Sequence, residues 1–105
     1  MPSQGNTPRN EVAQMAYTIK GTYPESGRSF FLDRDGYVLD SLKYIRPCNC
    51  YETARAAKMV ATKKNKANAE QVAYDKARNE RRAAKGLPLF LETNVCIYEA
   101  YEVKF

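Results

Sequence analysis

The sequence predicts an α+β fold: a small antiparallel sheet of three to five strands, with a basic, alanine-rich helical hairpin inserted before the C-terminal strand. Three observations support this prediction. Apolar and polar residues alternate near both ends of the chain, which is typical of half-buried strands. Residues 49–85 contain ten alanines and neither Pro nor Gly, which favours helix. Clusters of turn-forming residues separate these segments.

The chain of 105 residues has room for one hydrophobic core. Residues 1–10, MPSQGNTPRN, are rich in polar and turn-forming residues, so we expect a loose tail there and a single domain over 11–105. Hydrophobic residues make up 44% of the chain, yet no apolar run is long enough for a membrane span and no secretory signal is evident. We therefore expect an intracellular protein without a membrane partner.

The first predicted strand lies within residues 11–23. Ala13, Met15, Tyr17 and Ile19 alternate with other residues, as on a strand. Spacing of some of the same residues also fits a helix begun by Asn10, so helix remains the alternative. The β-branched and aromatic run at residues 17–19 favours the strand.

Residues 28–45 predict a β-hairpin. The apolar run at residues 29–32 leads into Asp33-Arg34-Asp35-Gly36, and a second apolar run follows at residues 37–39. Asp and Gly are typical of such turns, because Asp bonds local amides and Gly adopts positive φ. Pro47 ends this section, since the residue before a proline is pushed towards extended geometry.

The alanine-rich stretch predicts two helices rather than one. A single helix of about 35 residues would be roughly 50 Å long, which exceeds the diameter of a compact domain of this size. The best break lies at residues 62–68, where Asn68 and Gln71 have the spacing of a capping box. A single long protruding helix is the alternative.

Gly86 and Pro88 predict the helix end, since Gly suits the left-handed position that follows a helix. A short strand at residues 89–91 and a turn at residues 92–94 are then expected. Alternation over residues 95–105 predicts a long half-buried final strand.

Positive charge is concentrated in the predicted helices. Residues 50–86 hold ten Lys/Arg against four Asp/Glu, a balance of +6, whereas the rest of the chain holds seven against eight, a balance of −1. One stripe at helical spacing combines Arg78, Arg81, Arg82 and Lys85 with Tyr74 one turn earlier. Arg55, Lys58 and Lys63 on the first predicted helix extend this stripe, and Lys63, Lys64 and Lys66 concentrate charge at the predicted bend. A solvated helix back is the plain interpretation, but a solvated face usually mixes both signs.

Residues 31–36 resemble the first motif of haloacid-dehalogenase-like phosphatases, in which a strand delivers an Asp nucleophile followed two residues later by an acid/base Asp beside magnesium. The resemblance implies these roles for Asp33 and Asp35. Tyr37 replaces the usual Thr, and no later acidic pair follows. The hairpin turn explains the same residues, and we favour that interpretation.

Catalytic chemistry finds little support in the rest of the chain. The sequence has no His, which removes the commonest general base and every Ser-His or Cys-His pairing. The three cysteines, Cys48, Cys50 and Cys96, are too few for a four-ligand zinc site. We expect reduced buried thiols, no metal, no cofactor and no enzymatic activity.

The resulting hypothesis is a small non-enzymatic binding protein whose basic helical face engages nucleic acid or a nucleic-acid-handling complex. The alternative is a protein-protein interaction module, such as a small viral or mobile-element inhibitor of a host nucleoprotein machine, that binds an acidic protein surface. Pairing of the alanine-faced helices with a second copy, giving a homodimer, also stays open.

Overall fold

The computed structural model describes residues 15–105, and the expected N-terminal tail lies outside the described residues. Four strands form one antiparallel sheet in the order β3-β2-β1-β4. The strands are β1 (Met15–Thr22), β2 (Ser29–Leu32), β3 (Val38–Leu39) and β4 (Ile97–Lys104), and one helix, α1 (Ala54–Ala84), precedes β4. The α+β class and the antiparallel sheet are therefore confirmed.

The central strand β1 is paired on both sides. Ile19 lies opposite Leu32 of β2 and opposite Ala100 of β4. The hairpin between β2 and β3 turns at residues 33–36, where the Asp33 carboxylate accepts from the Asp35 and Tyr37 amides at 2.9 Å each. Gly36 has φ +90, as the turn requires. The prediction of a hairpin turn is confirmed.

Each face of the sheet has its own apolar cluster, because successive residues of a strand point to opposite faces. On one face Ile19 and Leu32 pack against Ala57 and Ala61 of α1. On the other face Ala16 and Val103 pack against Ile45 and Cys50, each of which directly follows a short 3-10 turn. Helix α1 therefore covers one face only, and it does so with about its first three turns.

Helix α1 is continuous, so the predicted helical hairpin is wrong and the alternative of one long helix is correct. Thr53 caps its start by accepting from the Ala56 amide at 3.1 Å. Its end is the one predicted: Gly86 has φ +69, and the Leu87 amide donates to the Arg82 carbonyl at 2.9 Å. The expected break at residues 62–68 lies within the helix.

The reason for the error is that the molecule is elongated. At 31 residues, α1 is about 46 Å long. The radius of gyration is 19.1 Å, against about 13 Å for a compact domain of 100 residues. The length argument for a break assumed a compact shape, and the second half of α1 instead projects beyond the sheet.

Residues 87–96, which we call the strap, return from the end of α1 to the start of β4. The sequence predicted a short strand at residues 89–91 and a turn at residues 92–94, but the strap contains no assigned strand. Strand β4 begins at Ile97, two residues later than predicted. The strap and the second half of α1 together form an arm.

Gly21 is required because Phe30 lies against it. A Cβ built on Gly21 would overlap the Phe30 ring. We expect Gly21→Ala to lower the free energy of unfolding by about 1–3 kcal/mol, the usual cost of overpacking. Urea unfolding measures the cost of Gly21→Ala in the wild type and in a Phe30→Leu background. The cost should be smaller in the Phe30→Leu background, because the smaller side chain makes room for the added methyl group. An equal cost in both backgrounds contradicts the explanation.

Candidate functional site

The arm is held together by polar side chains of α1 that bind the backbone of the strap. The Asn79 amide donates to the Phe90 carbonyl at 2.8 Å and accepts from the Phe90 amide at 3.1 Å. Asn68 likewise donates to the Asn94 carbonyl at 3.0 Å and accepts from the Cys96 amide at 2.9 Å. Each Asn side chain thus supplies one donor and one acceptor to the extended strap, as a neighbouring strand would.

The same arrangement continues to the edge of the sheet. The Asn65 side chain accepts from the Tyr98 amide at 2.7 Å and donates to the Tyr98 carbonyl at 2.9 Å. Positions 65, 68, 72, 75, 79 and 82 follow alternating spacings of three and four residues, so they form a single seam on α1. That seam is mostly polar, whereas the corresponding positions near the helix start are Ala57 and Ala61.

Asp75 occupies the middle of the seam and is 4% exposed. Its carboxylate accepts from the Thr93 amide at 2.9 Å, from the Thr93 hydroxyl, and from Gln71 at 2.8 Å. It also lies 3.4 Å from Arg78. These donors, with the Thr93 hydroxyl first and then the Thr93 amide, lower the pKa of Asp75 despite its burial. The strap is therefore fastened by an ionised carboxylate.

Two of the four cations in the predicted stripe hold the strap. Arg78 donates to the Leu91 carbonyl at 3.1 Å, and Arg82 donates to the Pro88 carbonyl at 2.6 Å. Their guanidinium carbons lie 5.0 and 4.0 Å from the centre of the Phe90 ring. Arg81, Lys85 and Tyr74 are exposed, as the stripe requires. The stripe predicted from the sequence therefore includes two arginines, Arg78 and Arg82, whose side chains bind the strap within the molecule.

A second cationic surface lies on the first half of α1, on the side away from the sheet. Arg55, Lys58, Lys63 and Lys66 are all exposed. Their spacing places them on one face, with the exposed Met59 between them. Arg55, Lys58, Met59, Thr62 and Lys63 line one shallow depression. We call the four cations the outer face. Lys64, by contrast, is half-buried and lies over the Tyr98 ring at 5.8 Å.

Carboxylates do not neutralise the outer face. Among residues 15–105, the one ion pair joins Arg78 and Asp75. Of the acidic residues on α1, Glu70 and Glu80 are exposed and Asp75 is buried in the seam. Seven exposed cations stand along α1 and its cap: Arg55, Lys58, Lys63, Lys66, Lys76, Arg81 and Lys85. Helix α1 therefore carries an excess of exposed positive charge along its length.

The cysteines are separate thiols. Cys48 is exposed, whereas Cys50 and Cys96 are buried in different parts of the molecule. Burial, with the nearby Asp33 and Cys48, raises the pKa of the Cys50 thiol. Within the described part of the chain, no three His, Cys, Asp or Glu residues come together as a metal site would require. Over the same residues, no helix combines the length and apolar character needed to cross a bilayer.

The seam was missed by the sequence reasoning, although a signal for it was present. The sequence pattern places Asn65 and Asn68 at a helix break and gives Asp75 and Asn79 no role in a site. Their alternating spacing of three and four residues is the pattern of a buried helix face. Because the pattern is filled by polar residues, a search for apolar periodicity does not find it.

Comparison with known proteins gave no guide to function. No protein-family model matches the chain, and neither a curated protein nor a solved structure matches it significantly. The class is therefore defined by its architecture: a small α+β protein with a cationic helical arm and a polar helix–strap seam.

Proposed function

We propose that the protein is a non-enzymatic binding protein whose outer face contacts the phosphate backbone of nucleic acid. The main support is that one helix face exposes four cations without a carboxylate partner among the described residues: Arg55, Lys58, Lys63 and Lys66. Lysine and arginine side chains bind phosphates and release condensed counterions. The outer face replaces the stripe around Arg78 and Arg82 as the first candidate, because those two arginines bind the strap.

The dimensions of the outer face suit a polyanion. Lys66 lies eleven positions after Arg55 along α1, a distance of about 16 Å. A DNA duplex carries a negative charge about every 1.7 Å along its axis, so roughly five base pairs lie within that reach. Because α1 is one continuous helix, its cations are held at fixed spacings along the phosphate backbone.

The proposal predicts that affinity for nucleic acid falls steeply with salt, and that the cations of the outer face cause most of this fall. Binding to a fluorescein-labelled 20-base-pair duplex, followed by anisotropy between 50 and 200 mM salt, gives the slope of log K against log salt. Replacing Arg55, Lys58, Lys63 and Lys66 together by Ala should reduce that slope by about 3 to 4, because each phosphate contact contributes about 0.9. Alanine preserves the helix, so stability should change little.

The matched control removes the same charge from the sheet side of the molecule. Arg28, Lys43, Arg46 and Lys104 are exposed and lie outside α1. Replacing these four by Ala should leave most of the salt slope in place. An equal loss in both variants indicates non-specific attraction by net charge, and an unchanged slope in the outer-face variant contradicts the proposal.

A further inference from the structure

The strap covers two of the four cations on one side of the arm. These four share that side through their helical spacing: Arg78, Arg81, Arg82 and Lys85. Arg81 and Lys85 are exposed, whereas Arg78 and Arg82 are half-buried. The guanidinium groups of the two half-buried arginines donate to strap carbonyls at 3.1 and 2.6 Å. The strap therefore occupies half of a cationic surface.

The strap leaves these two arginines incompletely satisfied. Both donate to carbonyls, and the Nε of Arg78 is buried without a hydrogen-bond partner within the described chain. Among residues 15–105, the one carboxylate in contact with them is Asp75, 3.4 Å from Arg78. A guanidinium group presents five N–H donors in a fork that matches the charged oxygens of a phosphate. Phosphate is therefore a better partner for Arg78 and Arg82 than the strap.

Hydrogen bonds, more than buried apolar surface, hold the strap in place. Apart from the buried Cys96, its apolar residues are exposed: Leu87, Pro88, Leu89, Phe90, Leu91 and Val95. The side chains of Asn79 and Asp75 bind residues 90–93. A segment with few buried apolar contacts opens at a lower free energy than a core element does. Residues 87–93 are therefore expected to open locally while the sheet stays folded.

Opening changes the charge of the arm in two ways. It exposes Arg78 and Arg82, and it removes Glu92, whose carboxylate accepts from Asn79 at 3.0 Å while the strap is bound. With the strap bound, three exposed cations of residues 75–85 stand beside the exposed Glu80 and Glu92, a balance of +1. Without the strap, residues 75–85 present five Lys/Arg against two Asp/Glu, a balance of +3. Strap opening therefore increases the attraction of this side for a polyanion.

We propose that the strap is an autoinhibitory cover, and that its local opening releases Arg78 and Arg82 to form, with Arg81 and Lys85, a second site for the phosphate backbone of nucleic acid. This second site rests on the proposed function, because its ligand is the same polyanion. The closed protein binds through the outer face, and the open protein binds through both surfaces. The polyanion in turn favours the open state, since binding and opening are linked.

Asn79→Ala opens the strap without changing the net charge. It removes the hydrogen bonds of Asn79 to Phe90 and Glu92, while alanine preserves the helix. Hydrogen exchange at the Thr93 amide should rise at least about tenfold. Affinity for the 20-base-pair duplex should also rise, and the slope of log K against log salt should steepen by about 2, because two more phosphate contacts contribute about 0.9 each. Replacing Arg78 and Arg82 by Gln in this variant should cancel both gains in binding.

Asn65→Ala is the matched control, since Asn65 belongs to the same seam but binds Tyr98 of β4 instead of the strap. It should leave the salt slope unchanged. The same substitutions are also measured in the variant whose outer face is replaced by Ala. The loss on removing the outer face tests the proposed function, and the gain on opening the strap tests the second site, so each can fail while the other is observed.

Three results with the variants overturn the autoinhibitory cover. The first is a salt slope in Asn79→Ala equal to that of the wild type although exchange at Thr93 has risen. The second is unchanged exchange at Thr93, which means that the seam does not hold the strap closed. The third is a gain that persists after Arg78 and Arg82 are replaced by Gln. In the wild type, adding the duplex should itself accelerate exchange at Thr93, and protection there would place nucleic acid on the closed arm and contradict the proposal.

Discussion

An Ile19→Ala variant is expected to lose about 2–5 kcal/mol of unfolding free energy, the largest stability effect of any single substitution considered for this protein. Ile19 is completely buried and is the largest of the fully buried side chains. It contacts Leu32 of β2 and the alanines of α1 that rest on the sheet. Its truncation leaves a cavity where the helix meets β1.

The effect should be large because the hydrophobic core contains few large side chains. Besides Ile19, the buried apolar residues of the described chain are Leu32, Ile45, Val103, three alanines and two cysteines. Small proteins are stable by about 5–15 kcal/mol in total, so the loss is a large fraction of that margin. The variant should be partly unfolded well below the melting temperature of the wild type.

Chemical denaturation by urea, followed by circular dichroism, measures the change. Val38→Ala is a suitable control, because Val38 is a β-branched strand residue that is 63% exposed. It should cost no more than about 0.5 kcal/mol. Similar losses in the two variants would mean that the helix–sheet contact contributes little to stability.

Asp75→Asn is expected to loosen the strap without unfolding the sheet. The carboxylate accepts three hydrogen bonds and pairs with Arg78. Asn has one acceptor oxygen and cannot replace them all. Hydrogen exchange should rise at least about tenfold at Thr93 and at neighbouring strap amides, while the β1 amides keep their protection.

The same carboxylate makes the strap sensitive to acid. Hydrogen bonds from Thr93 and then from Gln71, together with the positive charge of Arg78, hold the pKa of Asp75 below its ordinary value of 3.8. The folded protein therefore binds this proton less readily than the unfolded chain does. The stabilisation is present above pH 3.8 and is lost as the pH falls through the lower pKa of the folded state.

Protection factors of the strap amides, measured between pH 2 and pH 6, should show this transition in the wild type and not in Asp75→Asn. Glu70→Gln is the matched control, since Glu70 is an exposed carboxylate on the same helix. It should retain the acid transition. If the transition persists in Asp75→Asn, another carboxylate fastens the strap.

The sequence was a good guide wherever local chemistry decides the conformation. Asp33 and Gly36 form the predicted turn, and Gly86 ends the helix as predicted, because both depend on residues close in sequence. The alternation in β1 and β4 also predicted these two strands. Register and strand order could not be predicted, since they depend on contacts between distant segments.

The arm is where the prediction was wrong, and the cause is physical. Asn68 does have the chemistry of a helix cap, but the strap supplies its partners 26 and 28 residues further along the chain. A capping residue and a seam residue look alike in sequence. For the same reason the sequence pattern of Arg78 and Arg82 resembles a docking surface, whereas their side chains bind carbonyls of the strap.

The Asn65 contact with Tyr98 has a consequence for behaviour at high concentration. Strand β4 lies at one rim of the sheet and is an edge strand. The unpaired backbone groups of an edge strand can pair with the edge strand of another molecule. Asn65 occupies part of that rim, and the exposed Glu102 and Lys104 place charge along the rest. The opposite rim is β3, which is only two residues long. Ribbon-like aggregation of the folded protein is therefore disfavoured at both rims.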